Sequence, residues 1–161
     1  MRRTLMATLA ATLAVSLITM ASSGGAKNAV PPKQRQAELV QEYAKKPCEK
    51  PKLAFVTNGV ADFWVIAQRG AEQAGVESGA TVTVHMPAEG IADQKRIMED
   101  LVAQGINGIA VSPIDPANQL EILDQIAGHT LLITQDSDAP ASARLAYIGL
   151  DNYDAGRLAG K

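Results

Sequence analysis

Two carboxylates stand two residues apart in the segment Gln135-Asp136-Ser137-Asp138-Ala139-Pro140, directly after an apolar run. Ionised carboxylates only accept hydrogen bonds, and a pair at this spacing suits the adjacent hydroxyls of a sugar, to which charge-assisted bonds are the stronger kind. The same residues also suit an Asp- and Ser-rich turn or a hard cation, although Ca²⁺ asks for six or more oxygens and this segment offers few at the right spacing. A second segment, Asn58-Gly59-Val60-Ala61-Asp62-Phe63-Trp64, sets two aromatics at the start of a helical pattern. There the face of Trp64 could stack on the C–H face of a sugar, or the ring could be a plain rim residue. Asp62, just before them, has the chemistry of a helix N-cap as well as of a ligand contact. Ser112 ends another apolar run and offers a hydroxyl ahead of Pro113-Ile114-Asp115-Pro116, where Asp115 reads as a cap and Pro116 as a first helical residue. In Gly149-Leu150-Asp151-Asn152-Tyr153, Asp151 again reads as a cap and leaves Asn152 or Tyr153 for a ligand.

None of these groups makes a catalytic set. His85 and His129 stand alone, with neither a Cys nor a second His at metal-ligand spacing, and neither forms a triad with Ser112. The chain has no G-x-G-x-x-G after a strand and no G-x-S-x-G elbow. Gly156-Arg157-Leu158-Ala159-Gly160-Lys161 is one residue short of a phosphate loop and lacks its Ser or Thr. The expectation is a binding protein that performs no chemistry and needs neither cofactor nor metal. The formal charge of −2 is spread without a basic block, which argues against nucleic acid as a partner.

The elements that must position these residues recur in a regular rhythm. β-Branched or apolar runs at 53–57, 81–86, 108–112, 130–134 and 145–150 predict strands, and three of the gaps between them carry helical periodicity. In the first predicted helix Phe63, Ile66, Gly70 and Ala74 mark the buried stripe, with Gly79 as its stop; Trp64 lies one residue off that stripe. The second carries Ile97, Met98, Leu101 and Val102 and ends at Gly105; the third, begun by Asp115-Pro116, carries Leu120, Leu123, Ile126 and Ala127 and ends at Gly128. Strand alternating with helix predicts an α/β fold, a doubly wound parallel sheet with helices on both faces. All four candidate segments then project from the carboxyl ends of strands, where open α/β sheets bind ligands.

The ends of the chain bear on compartment. Arg2 and Arg3 precede an uncharged, largely apolar run from Leu5 to Met20 that closes on small residues. That run is short against the roughly 20 residues that cross a bilayer, so it reads as a secretory signal over 1–26, cleaved after Ala21 or Ala26. Loss of Arg2 and Arg3 would take the formal charge from −2 to −4. Residues 27–50 read as a linker with a short helix, Gln34 to Lys46, packed as an edge segment; 51–161 read as the ligand-binding lobe, about 110 residues, enough for a core. Cys48 is unpaired in this sequence and predicts either a partner elsewhere or a free thiol. The last residues read as a helix broken off, so the chain is expected to be truncated.

Taken together, Leu53-Ala54-Phe55-Val56-Thr57-Asn58 with Asp62-Phe63-Trp64, the run Ala92-Asp93-Gln94-Lys95-Arg96, Ile109-Ala110-Val111-Ser112-Pro113 with Asp115-Pro116, Asp136-Ser137-Asp138, and Tyr147-Ile148-Gly149 with Asp151-Asn152 resemble a known family. It is that of the sugar-binding proteins of ABC importers, the ribose-binding-protein-like group of type I periplasmic binding proteins. The resemblance covers Lys52 to Lys161 and implies the first of two lobes that close on a sugar, with strand order 2-1-3-4-5. It implies Phe63 and Trp64 as a stacking pair, Ser112 as a polar strand-end contact and Asp136 as the acceptor for sugar hydroxyls. Ribose binders carry Arg directly after that Asp and Asn shortly before the aromatics. This chain has Ser137, Val60 and Ala61 there, which points away from ribose and leaves Asp138 to share the polar role. The implied partners are a small sugar and a membrane permease, the implied location is the periplasm, and the implied state is a monomer. Repressor ligand domains share this lobe, but they start with a helix-turn-helix rather than a signal. An exported sensor that reports sugar to a membrane receptor remains the alternative.

Overall fold

Every predicted apolar run lies in one five-stranded sheet. The computed structural model describes residues 30–161, and the expected signal at 1–26 lies outside the described residues. In chain order the elements are α1 (Pro32–Lys45), β1 (Lys52–Val56), α2 (Asp62–Ser78), β2 (Thr81–His85), α3 (Ile91–Ala103), β3 (Gly108–Val111), α4 (Leu120–Ala127), β4 (Leu131–Gln135), β5 (Ala146–Ile148) and α5 (Asn152–Ala159). The strands run in the order β2-β1-β3-β4-β5, and each neighbouring pair is parallel. This is the order implied by the resemblance.

Alternate residues of a strand face opposite sides of the sheet, which gives the two layers of helices their separate partners. Ala54 and Val56 of β1 lie beside Ile109 and Val111 of β3, and Ile109 lies beside Leu132 of β4. These side chains join Met98 and Leu101 of α3 and Ile122, Leu123, Ile126 and Ala127 of α4 in the main core. The other face carries Leu53, Phe55, Val82 and Val84, and α2 lies on it. The ring of Trp64 meets Phe55 edge-on at 6.0 Å between centroids. At the far end of α2, a Cβ built on Gly75 would fall 2.7 Å from Val82 Cγ2.

That close approach corrects the predicted stripe of α2. Phe63 and Ile66 face outward, 61% and 73% exposed, while Trp64 and Gly75 are buried and Ala67, Gln68 and Ala71 are half-buried. Two apolar stripes lie side by side on this helix, and periodicity does not choose between them. The choice follows from size: Ala67, Ala71 and Gly75 let the helix axis approach β2, whereas Ile66 and Phe63 would hold it away.

Two further expectations change at element boundaries. α1 packs on the lobe as expected, against α4 and β4, and starts at Pro32 rather than Gln34. Its Gln36 is fully buried, with Nε2 donating to the carbonyls of Ala127 and Thr130 at 2.6 Å and Oε1 accepting from the Leu132 amide at 2.9 Å. One side chain thereby satisfies the backbone where α4 ends and β4 begins. The Asp115-Pro116 signal closes a turn ahead of α4 rather than starting the helix. The Asp115 carboxylate accepts from the amide and side chain of Asn118, and α4 begins at Leu120.

Candidate functional site

The carboxyl ends of β1 and β3 are tied together by one buried amide that the sequence reading assigned no role. Gln94 of α3 is fully buried, and its Nε2 donates to the Thr57 carbonyl at 2.7 Å and the Ser112 carbonyl at 2.8 Å. Its Oε1 accepts from Gln119 Nε2 at 2.8 Å and from the Ile114 amide at 3.4 Å, and Gln119 Oε1 in turn accepts from the Asp115 amide. A ladder that ends inside a protein leaves carbonyls without strand partners, and here side-chain amides replace them. The signal was the run Ala92 to Arg96, in which Gln94 reads as one more polar residue on a helix.

β4 runs out into the segment with both carboxylates, and the two have different surroundings. Asp136 is exposed and sits at φ 62, the only non-glycine residue with positive φ among the described residues. The Ser137 amide donates back to the Gln135 carbonyl at 2.7 Å, so Asp136 is the centre of a γ-turn of the rare, strained hand. Its Oδ2 accepts from the buried Ser112 hydroxyl at 3.0 Å. Its other oxygen takes no hydrogen bond from the described residues.

Asp138, expected to share the ligand, is committed to the protein. Oδ1 accepts from the Thr134 hydroxyl at 2.7 Å, the Ala139 amide at 2.8 Å and Arg144 Nε at 2.5 Å, and Oδ2 accepts from Arg144 Nη2 at 2.8 Å. Burial works to raise this carboxyl, but the Arg144 guanidinium, the Thr134 hydroxyl and the Ala139 amide outweigh it and hold it below the usual carboxylate range. The pair therefore stabilises the loop above that range and loses its contribution as pH falls through the lowered value. With Asp124 Oδ1 accepting from the Ala143 amide at 2.6 Å, the segment between β4 and β5 is fixed in place.

The aromatic pair is also divided. Trp64 is 4% exposed, its Nε1 donates to Asn58 Oδ1 at 2.9 Å, and its ring stands edge-on to Phe63 at 4.8 Å. Trp64 is thus packed beneath Phe63, and the exposed ring of the pair is Phe63 rather than the indole expected to be open from the sequence. Asp62 is the first residue of α2 and exposed; the cap position is Ala61, and no side chain caps the helix. The extended backbone at Ala61 carries the turn into the helix, and the carboxylate of Asp62 adds negative charge to the first turn instead of capping it. Asp151 does cap α5, accepting from the amides of Tyr153 and Asp154 at 3.0 Å, and leaves Asn152 and Tyr153 exposed at the same sheet edge.

Phe63, Ser112, Asp136 and Asn152 therefore lie along one edge, after β1, β3, β4 and β5, as an open shelf. The ends of β1 and β4 are two strand spacings, about 10 Å, apart. An apolar hollow of about 250 Å³, lined by Tyr43, Pro47, Cys48, Pro51, Leu53, Asn107 and Leu131, lies at the other end of the strands. It offers almost no polar group to orient a ligand. Among the described residues no three His, Cys, Asp or Glu side chains group as a metal-ion site.

Residues 53–161 match the family described as periplasmic binding protein domain. A solute-binding protein of an ABC transporter from Burkholderia graminis, solved in complex with D-arabinose, is 27% identical with a TM-score of 0.65, over 70% of this chain and 40% of that one. GanP, a glucose-galactose binding protein from Geobacillus stearothermophilus, is 30% identical with a TM-score of 0.64, over 70% of this chain and 41% of that one. A sugar-binding protein of a Bacillus halodurans sugar ABC transporter is 26% identical with a TM-score of 0.62, over 68% and 39%. The chain thus spans about 40% of the length of these solved relatives.

Proposed function

This chain belongs to the periplasmic binding protein domain family, and from that premise we propose that its strand-end shelf is one wall of a monosaccharide site in an exported, monomeric solute-binding protein. The observation that carries the reading is Asp136: an exposed carboxylate with one oxygen anchored on Ser112 and the other free, in a strained turn that nothing in the core requires. Strain of this kind persists where the surroundings over-determine it, and it clusters at ligand sites. The free oxygen accepts sugar hydroxyls, Phe63 covers an apolar C–H face, and Asn152 adds an amide at the neighbouring strand end. D-Arabinose and the glucose-galactose pair, bound by the relatives, define the ligand class.

The opposite wall is supplied by a second lobe. A sugar that bridges two lobes favours the closed form by the difference in its affinity for the two states, and closure is what a membrane permease of an ABC importer reads. The protein works in the periplasm after cleavage of the segment 1–26. Its role is capture and delivery, without bond chemistry, metal or nucleic acid.

Calorimetric titration of the full-length, two-lobed protein with D-arabinose, D-glucose and D-galactose tests this. Saturable heat is expected with at least one of them, unchanged by a metal chelator. Silence toward all three, or heat that disappears in chelator, would remove the sugar reading or replace it with a cation.

A further inference from the structure

We propose that Tyr147 is a positioning residue for ligand binding, holding Asp136 in its strained turn without touching the ligand; the inference rests on the reading of Asp136 given above. Tyr147 is the middle residue of β5 and lies opposite Thr134 of β4. Its phenol donates to the Asp136 carbonyl at 2.9 Å, with the Leu150 carbonyl at 3.4 Å as a weaker second acceptor. It takes no part in the main core, so its hydroxyl and not its packing is what it brings to the sheet edge.

The turn needs such a hold. A non-glycine residue at φ 62 in a γ-turn is strained and reverts unless neighbours fix it. Three contacts fix Asp136. Its amide donates to the Ile148 carbonyl at 3.1 Å, its carboxylate accepts from Ser112, and its carbonyl accepts from Tyr147. The first is the last rung between β4 and β5, and the second orients the side chain alone. Among the described residues, the phenol is the one side-chain contact that grips the backbone of the turn, and it sets the direction of the Asp136 Cα–Cβ bond.

The neighbourhood is shaped around that phenol. A Cβ built on Gly149 would lie 2.0 Å from Tyr147 Oη and 2.2 Å from Cζ, so any other residue at 149 forces the ring to shift. Gly149 thus leaves room for the phenol, and the stretch Tyr147-Ile148-Gly149 works as one device: a donor, a ladder carbonyl and a gap.

Tyr147→Phe removes the hydroxyl and keeps the ring. Titrated with the tightest-binding sugar of the three above, it is expected to lose about tenfold in affinity, the scale of one hydrogen bond. The same substitution made in Asp136→Gly, which tolerates positive φ but has no carboxylate to position, is expected to change nothing further. An equal loss in both backgrounds would show that Tyr147 acts elsewhere and would overturn the proposal. An unchanged affinity in Asp136→Gly alone would instead overturn the assignment of Asp136 to the ligand, and with it the part of Tyr147 in binding. A ligand-free crystal structure of Tyr147→Phe checks the hold by itself. Asp136 is expected to leave positive φ; an unaltered turn with the carboxylate still on Ser112 would contradict the hold whether or not a sugar binds.

Discussion

Gln94→Leu should destabilise the free protein by about 3–5 kcal/mol, a large part of the roughly 5–15 kcal/mol that holds a domain together. The substitution keeps most of the volume, so the loss is polar rather than a cavity. It strips the Thr57 and Ser112 carbonyls of their donor and the Gln119 amide of its acceptor, all inside a region that water does not reach. Each buried group left unpaired costs about 1–3 kcal/mol, and partial relaxation keeps the total below the sum. Gln94→Glu should be no milder, because a carboxylate cannot donate and would face two carbonyls. Urea unfolding gives the midpoint shift directly. A loss below about 1 kcal/mol would show that the ends of β1 and β3 hold together without this amide.

Asp136→Asn should weaken sugar binding by about 1.5–3 kcal/mol, tenfold to somewhat over a hundredfold, with little change in melting temperature. Asn matches Asp in shape and tolerates positive φ at least as well, so the turn survives. What goes is the charge of the acceptor, and a carboxylate accepts from hydroxyls more strongly than an amide oxygen does. The free protein is barely affected because the exposed side chain makes one bond, to Ser112. Calorimetry on both proteins measures the difference; equal affinities would take Asp136 out of the site.

The layout of this edge was legible in the sequence, while the division of labour within it was not. Short β-branched runs punctuated by Gly79, Gly105 and Gly128 located the strands and helices, because in a parallel sheet buried on both faces the strands are nearly continuous apolar runs. Asp151 was legible as a cap because its chemistry is local. What escaped depends on distance in space. Asp138 is neutralised by Arg144 across an irregular loop, where sequence separation says nothing about contact. Gln94 and Gln36 look like solvated helix residues, yet each is a buried bracket for backbone groups from other elements. Trp64 and Phe63 exchanged roles because two apolar stripes run along α2, and the small residues of the other stripe decided which one meets the sheet. Asp62 missed its cap by one position, since Ala61 provides the extended residue before the helix.

The claim that the carboxyl ends of the strands form the ligand wall is tested most directly by following backbone amide resonances during a sugar titration. One wall alone gives weak binding, which still shifts the amides it touches. The shifts are expected at Gly59 to Phe63, at Ser112 and Ile114, at Asp136 and Ser137, and at Asn152 and Tyr153. Shifts gathered instead around Tyr43, Cys48, Leu53 and Leu131, at the apolar hollow on the opposite ends of the strands, would contradict the account.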